Sequence, residues 1–117
     1  MIIVPMLDDR RTMEQDMTRA LQHPPATDLE LTQVLHALSD PVRLHIVRAL
    51  AEHGECHCGA FDLPVTKSTG THHFRVLRES GVIEQIADGT ARVNRLRRAD
   101  LDARFPGLLD SVLRPAA

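Results

Sequence analysis

The stretch from Thr66 to Asn94 constrains this chain more than any other, because a capped amphipathic helix there ends at a glycine and passes directly into a β-hairpin. The Thr66 hydroxyl can accept from the first-turn amides, and Gly81 lies just past the last periodic residue, where a left-handed stop is cheap only without a Cβ. Between these caps Gly70, Phe74 and Leu77 recur at helical spacing and predict an inward stripe. Ser68, Thr71, His72 and Arg75 recur on another stripe, and all four can donate hydrogen bonds. Val82, Ile83 and Ile86 are β-branched, Asp88-Gly89 is a strong turn dipeptide, and Ala91, Val93 and Leu96 carry the chain back, so a ribbon closing at Asp88-Gly89 is expected. A polar helix face beside a short basic ribbon suits the grooves of DNA.

At 117 residues and 43% apolar content the chain suits one domain, and three Phe with no Trp or Tyr make its core aliphatic. No apolar run is long enough to cross a bilayer, and Met1–Leu7 lacks the basic start and long apolar stretch of an export signal, so a cytoplasmic protein without a membrane partner is expected. Cys56 and Cys58 are too close in sequence to staple a fold, which leaves a thiol role or a packing role. The formal charge of −2 argues against indiscriminate nucleic-acid binding, but it is unevenly spread. From Lys67 to Arg98 seven cations face three acids, whereas from Met1 to Glu30 six acids face three arginines. A locally basic surface on an acidic body favours a specific binder over a nonspecific coat.

The remaining pattern is helical. Asp8 to His23 is a candidate helix with Met13, Met17 and Leu21 near one side, stopped by Pro24-Pro25. Leu31, Val34, Leu35 and Leu38 follow a helical spacing, and Asp40-Pro41 closes that helix and caps the next, because Asp accepts from first-turn amides and Pro is pre-set for the first turn. Pro41 to about Glu52 carries apolar residues on too many sides for one stripe and should be the most buried element. A short helix over Glu55 to Phe61 and a turn at Asp62–Val65 are expected to lead into the capped helix, as in a helix-turn-helix. Asp100 to Leu113 is helical, interrupted at Pro106-Gly107.

The segments from Leu35 to Leu50, LHALSDPVRLHIVRAL, and from Lys67 to Ile83, KSTGTHHFRVLRESGVI, closely resemble the arsenic-repressor (ArsR/SmtB) family of bacterial regulators, over roughly residues 29 to 96. The resemblance implies a mainly α fold with a small β-hairpin wing, a winged helix-turn-helix. It also implies a homodimer on a two-fold symmetric operator of double-stranded DNA, repressing transcription. On that reading residues 1–28 form an N-terminal dimerisation helix and Pro linker, 29–98 the DNA-binding core, and 99–117 a C-terminal dimerisation helix and tail. Met13, Met17, Leu21, Leu101, Leu108, Leu109 and Val112 are then the dimer-interface candidates.

By the same resemblance Lys67, Ser68, Thr69, Thr71, His72 and Arg75 face the duplex. The chemistry agrees, since Lys67 and Arg75 can pair with phosphate or guanine edges and short hydroxyls permit close approach. Thr90, Arg92 and Asn94 on the returning strand are candidates for phosphate or minor-groove contact. The alternative for these residues is an ordinary solvated helix face and a charged strand edge that deters aggregation. Adjacent His72 and His73 point about a hundred degrees apart on a helix and do not converge on one ion, so His72 is assigned to DNA and His73 to packing.

Some members of the resembling family use a Cys-x-Cys at this place to bind arsenic, antimony or soft divalent metals. Here the pattern reads Gly54-Glu-Cys-His-Cys-Gly-Ala-Phe-Asp-Leu63, with three residues inserted before Asp62-Leu63, and on a regular helix the two thiols would point to nearly opposite sides. No metal site or cofactor is therefore favoured, and Cys56 and Cys58 are read as packing thiols, with a soft metal or metalloid ion as the alternative inducer. The family's other site, on the final helix, needs histidines, and none occurs after His73. Nothing resembles a phosphate loop or a nucleophile elbow, so an enzyme is not expected. A winged-helix protein-interaction module that has lost DNA binding is the rival from another class.

Overall fold

The computed structural model describes residues 21–114. Met13, Met17 and most of the Asp8–His23 candidate helix lie outside the described residues, and Leu21–His23, where that helix was expected to end, are not helical. A single 3₁₀ turn at Ala26–Asp28 leads to helix α1 (Leu31–Leu38) and helix α2 (Pro41–His53). A two-residue strand β1 (Cys56–His57) and a 3₁₀ turn at Cys58–Ala60 precede helix α3 (Lys67–Glu79). Strands β2 (Ile83–Asp88) and β3 (Ala91–Leu96) follow, then the short helices α4 (Arg98–Arg104) and α5 (Leu108–Leu113). Among the described residues no helix is long and apolar enough to cross a membrane.

The junction between α1 and α2 follows from local chemistry. The Asp40 carboxylate accepts from the amides of Val42 (2.8 Å) and Arg43 (3.1 Å), and Pro41 occupies the first helical position. The Arg43 and Val42 amide bonds hold the Asp40 carboxyl below its ordinary range, against the opposing effect of burial. Helix α2 then places Ile46, Val47 and Leu50 in the centre of the core, as its apolar excess predicts.

Apolar counting could not find Arg43. Only 7% exposed, it donates from Nε to the Ala37 carbonyl (2.7 Å) and from Nη2 to the His36 carbonyl (3.2 Å), and its Nη1 lies 3.1 Å from Nδ1 of His73. One guanidinium thus satisfies carbonyls at the end of α1, where the helix supplies no amides, and ties them to α3. His73 is buried, as the packing assignment requires.

The α1 stripe divides in two. Val34, Ala37 and Leu38 are buried, but Leu31 and Leu35 are 45% and 43% exposed. Four residues apart, these two leucines form an uncovered apolar strip on one face of the helix.

Gly81 is the hinge from helix to wing. Its φ is +86°, and a Cβ there would lie 2.0 Å from Cδ2 of the buried Leu29, so both backbone conformation and packing require glycine. The sheet is antiparallel in the order β1-β3-β2, with Gln85 opposite Asn94 and Asn94 opposite Cys56. The ribbon closes at Gly89-Thr90 between the paired Asp88 and Ala91, one residue later than the turn dipeptide suggests. Gly89, with φ +64°, takes the first turn position.

No helix forms over Glu55–Phe61. Gly54, at φ +85°, stops α2, and Cys56–His57 then pair with β3 instead of starting a new helix. The first helix of the expected helix-turn-helix is reduced to the Cys58–Ala60 turn.

Candidate nucleic-acid interface

Helix α3 is capped as its sequence predicts. The Thr66 hydroxyl accepts from the Thr69 amide (3.3 Å) and donates to Thr69 Oγ1 (3.0 Å). Gly70, Phe74 and Leu77 are buried, while Lys67, Ser68, Thr69, Thr71, His72 and Arg75 are all exposed. The three hydroxyls at the start of α3 are partly committed, Ser68 Oγ lying 3.4 Å from the Thr66 hydroxyl. Thr69 shares its oxygen with the cap, and Thr71 donates to the Lys67 carbonyl (3.0 Å). Lys67, His72 and Arg75 therefore project the least encumbered groups, on a helix whose N-terminal amide dipoles favour an anion such as phosphate.

The wing is less uniform. Thr90 and Arg92 are exposed near its tip, but Asn94 is wholly buried and cannot touch a duplex in this fold. Asn94 accepts from Gln85 Nε2 (2.8 Å) and donates from Nδ2 to the Cys56 carbonyl (3.1 Å) and to Cys58 Sγ (3.2 Å). Arg78 Nη1 donates to Gln85 Oε1 (2.9 Å), completing a buried polar group at the base of the wing. Arg92 and Asn94 are two residues apart and share a strand face. That face is covered at the base by the Cys58 turn and open at the tip, a distinction that alternation along β3 does not carry.

Ion pairing also narrows the basic surface. Arg95 pairs with Glu55 and Glu84, Arg97 with Asp100 (3.0 Å), and Arg98 with Asp102 (3.5 Å) and Asp110 (3.2 Å). Arg75 lies 3.7 Å from Glu79 on an exposed helical turn, a weak pair. Lys67 and Arg92 make no ion pair among the described residues. The sequence count therefore overstates the charge available to a partner.

Cys56 and Cys58 are half-buried free thiols, and neither lies on a regular helix. The expected opposition of their side chains across a regular helix does not apply, because Cys56 lies in β1 and Cys58 opens the 3₁₀ turn. Among the described residues no group of three or more His, Cys, Asp or Glu side chains is placed to hold a metal ion.

An edge contact invisible in the sequence joins the wing to the N-terminal segment. The Gln85 amide donates to Nε2 of His23 (2.9 Å), and Arg97 Nη1 donates to the Pro24 carbonyl (2.8 Å). Burial, with help from nearby Arg78 and Arg97, lowers the His23 pKa below 6.5 despite the opposing Glu84. The neutral ring is the form that can accept this bond.

A polar helix face over a buried Phe-Leu stripe, followed through a glycine hinge by a wing, is the arrangement of a winged helix-turn-helix. The sequence profile described as "Bacterial regulatory protein, arsR family" matches residues 40–85, which run from the α2 cap into β2. An uncharacterized HTH-type transcriptional regulator of Bacillus subtilis, YceK, is 34% identical over 83 residues, covering 68% of this chain and 83% of that one. The chain belongs to the ArsR family. It is a DNA-binding transcriptional regulator, not an enzyme. An uncharacterized HTH-type transcriptional regulator of Methanocaldococcus jannaschii is 35% identical over 60 residues, covering 50% of this chain and 67% of its own. The fold is shared with a crystal structure of an ArsR family transcriptional regulator, at a TM-score of 0.54 and 22% identity, over 69% of this chain and 90% of that one.

Proposed function

We propose that this ArsR-family regulator is a cytoplasmic, homodimeric repressor that reads a two-fold symmetric operator. Lys67, Ser68, Thr69, Thr71, His72 and Arg75 enter the major groove, while Thr90 and Arg92 meet the neighbouring backbone. The observation that carries the reading is the division of α3 into a buried Gly70-Phe74-Leu77 stripe and an exposed, hydrogen-bonding face.

A dimer is supported by the uncovered Leu31 and Leu35. The start of α1 adjoins α4, where Arg104 Nε donates to the Leu29 carbonyl (2.9 Å). Leu21, Leu108 and Val112 are half-buried and keep surface for a partner. Leu101 and Leu109 do not, being fully buried in the chain's own core. The test is selection of bound genomic fragments, followed by binding and sedimentation measurements. Half-sites about one helical turn apart and a dimeric particle support the proposal. A strict monomer, or regulation that survives Lys67→Ala and Arg75→Ala together, points instead to a protein-interaction module.

A thiol- or metalloid-gated version of the repressor is favoured by one observation, the bonds from Asn94 and Gln85 to Cys58 Sγ at the wing's base. Ligation of that sulfur by a soft ion would disturb the groups that seat the wing. Arsenite should release the operator from the wild type but not from Cys56→Ser/Cys58→Ser; release that persists in the double variant removes these thiols from any sensing role.

A further inference from the structure

Beside the reading face, α3, the Cys58–Val65 segment and β3 enclose a cleft of about 710 Å³. Small-molecule sites occupy roughly 300–1,000 Å³. Its floor is built by Phe61, Leu63, Val65 and Phe74. The first three are only half-buried, so the chain leaves apolar surface directed into a cleft next to its most polar helix face. Phe61 and Phe74 meet edge to face, with centroids 5.4 Å apart and planes at 63°, and they are two of the three phenylalanines in the sequence. Lys67 on α3, Arg92 on β3 and one acid, Asp62, also line the cleft; all three are exposed, and the two cations outnumber the acid and stand outside any ion pair among the described residues.

The combination is selective. A phosphate backbone would use both cations but gains nothing from an aromatic floor, and a purely apolar compound would use the floor but not the cations. We propose that the cleft binds a small aryl carboxylate, its ring on Phe61, Leu63 and Phe74 and its carboxylate between Lys67 and Arg92. Because Lys67 and Arg92 are also proposed DNA contacts, occupancy displaces the operator. That second step rests on the DNA-reading proposal above; the binding does not.

The test titrates the full-length protein, without DNA, with 2-naphthoate, 2-naphthalenemethanol and inorganic phosphate, read by calorimetry and amide NMR. Naphthoate should bind saturably, about three- to fivefold tighter than the alcohol, as an exposed charge contact allows, and should shift the amides of Phe61, Gly70 and Ala91. Removing both cations, Lys67→Gln together with Arg92→Gln, should reduce naphthoate affinity to that of the alcohol. Ala91→Leu adds bulk to the cleft wall from an exposed strand position and should weaken naphthoate by about tenfold or more without changing the melting temperature. Naphthoate binding indifferent to Ala91→Leu, phosphate binding as tight as naphthoate, or no saturable binding would each overturn the site. In a second arm naphthoate should displace a selected operator fragment from the wild type and fail to do so from Ala91→Leu. Simultaneous binding of both would overturn the competition, whereas an unliganded protein that binds no DNA would overturn the DNA proposal and leave the titration result standing.

Discussion

Helix α3 and strand β3 both carry candidate DNA contacts, yet they divide buried from exposed residues in different ways. On α3 the division runs around the axis, with Gly70, Phe74 and Leu77 inside and Lys67, Ser68, His72 and Arg75 outside. On β3 it runs along the strand, since Arg92 and Asn94 share one face but only Arg92 reaches solvent. A helix face is set by its own period. A strand face depends on what is laid over it, and here the Cys58 turn covers the base of the wing and leaves the tip bare.

The largest expected effect lies at the joint between the two elements. Gly81→Ala should cost roughly 3 kcal/mol or more, from the left-handed φ together with the clash on Leu29. Denaturant unfolding measures it, and a loss well under 1 kcal/mol, on the order of an ordinary surface change, would show that Leu29 yields and that the hinge is not rigid.

The contrast along β3 comes next. Asn94→Ala should destabilise by about 1–3 kcal/mol, the cost of leaving buried amides without partners. Arg92→Ala should change stability by less than about 0.5 kcal/mol while weakening DNA binding. Equal unfolding midpoints for the two variants would remove the distinction between base and tip.

Lys67→Ala, on the exposed face of α3, should leave stability unchanged, weaken binding similarly across DNA sequences and reduce the slope of log affinity against log salt by about 1. Salt-titrated binding curves that keep their slope would place Lys67 outside the interface.

The smallest effect concerns the wing's outer edge. The His23 pKa is lowered in the folded chain, so its contribution to stability is fully present above pH 6.5 and is lost as pH falls from there toward the lowered value. A set of unfolding curves across that window should show the decline, and His23→Gln, whose amide oxygen can accept from Gln85 without titrating, should flatten it. The same decline in the variant would assign it to another group.

Much of this was legible because it is local. Thr66 and Asp40 cap through neighbours two and three residues away, Gly81 stops α3 through its own φ, and the α3 stripes follow from helical spacing. Arg43 escaped because a buried cation becomes intelligible only once the His36 and Ala37 carbonyls and His73 surround it. The helix expected over Glu55–Phe61 does not form because two residues of strand pairing with Val93 and Asn94, distant in sequence, outweigh a weak local preference. The exposure of Leu31 and Leu35 is not in the spacing, because apolar spacing reports which side of a helix is hydrophobic, not how much of that side its own chain can cover.

From sequence alone came the caps, the helix periods, the glycine hinge, the hairpin and the two segments that mark the family, since each depends on contacts within a few residues or on a contiguous pattern. Tertiary structure alone decided that Asn94 and Gln85 turn inward, that Arg95 is engaged by Glu55 and Glu84, and that an aromatic cleft opens beside Lys67 and Arg92. Those outcomes depend on groups brought together from remote parts of the chain, and burial and pairing are properties of that meeting rather than of any residue's own neighbours.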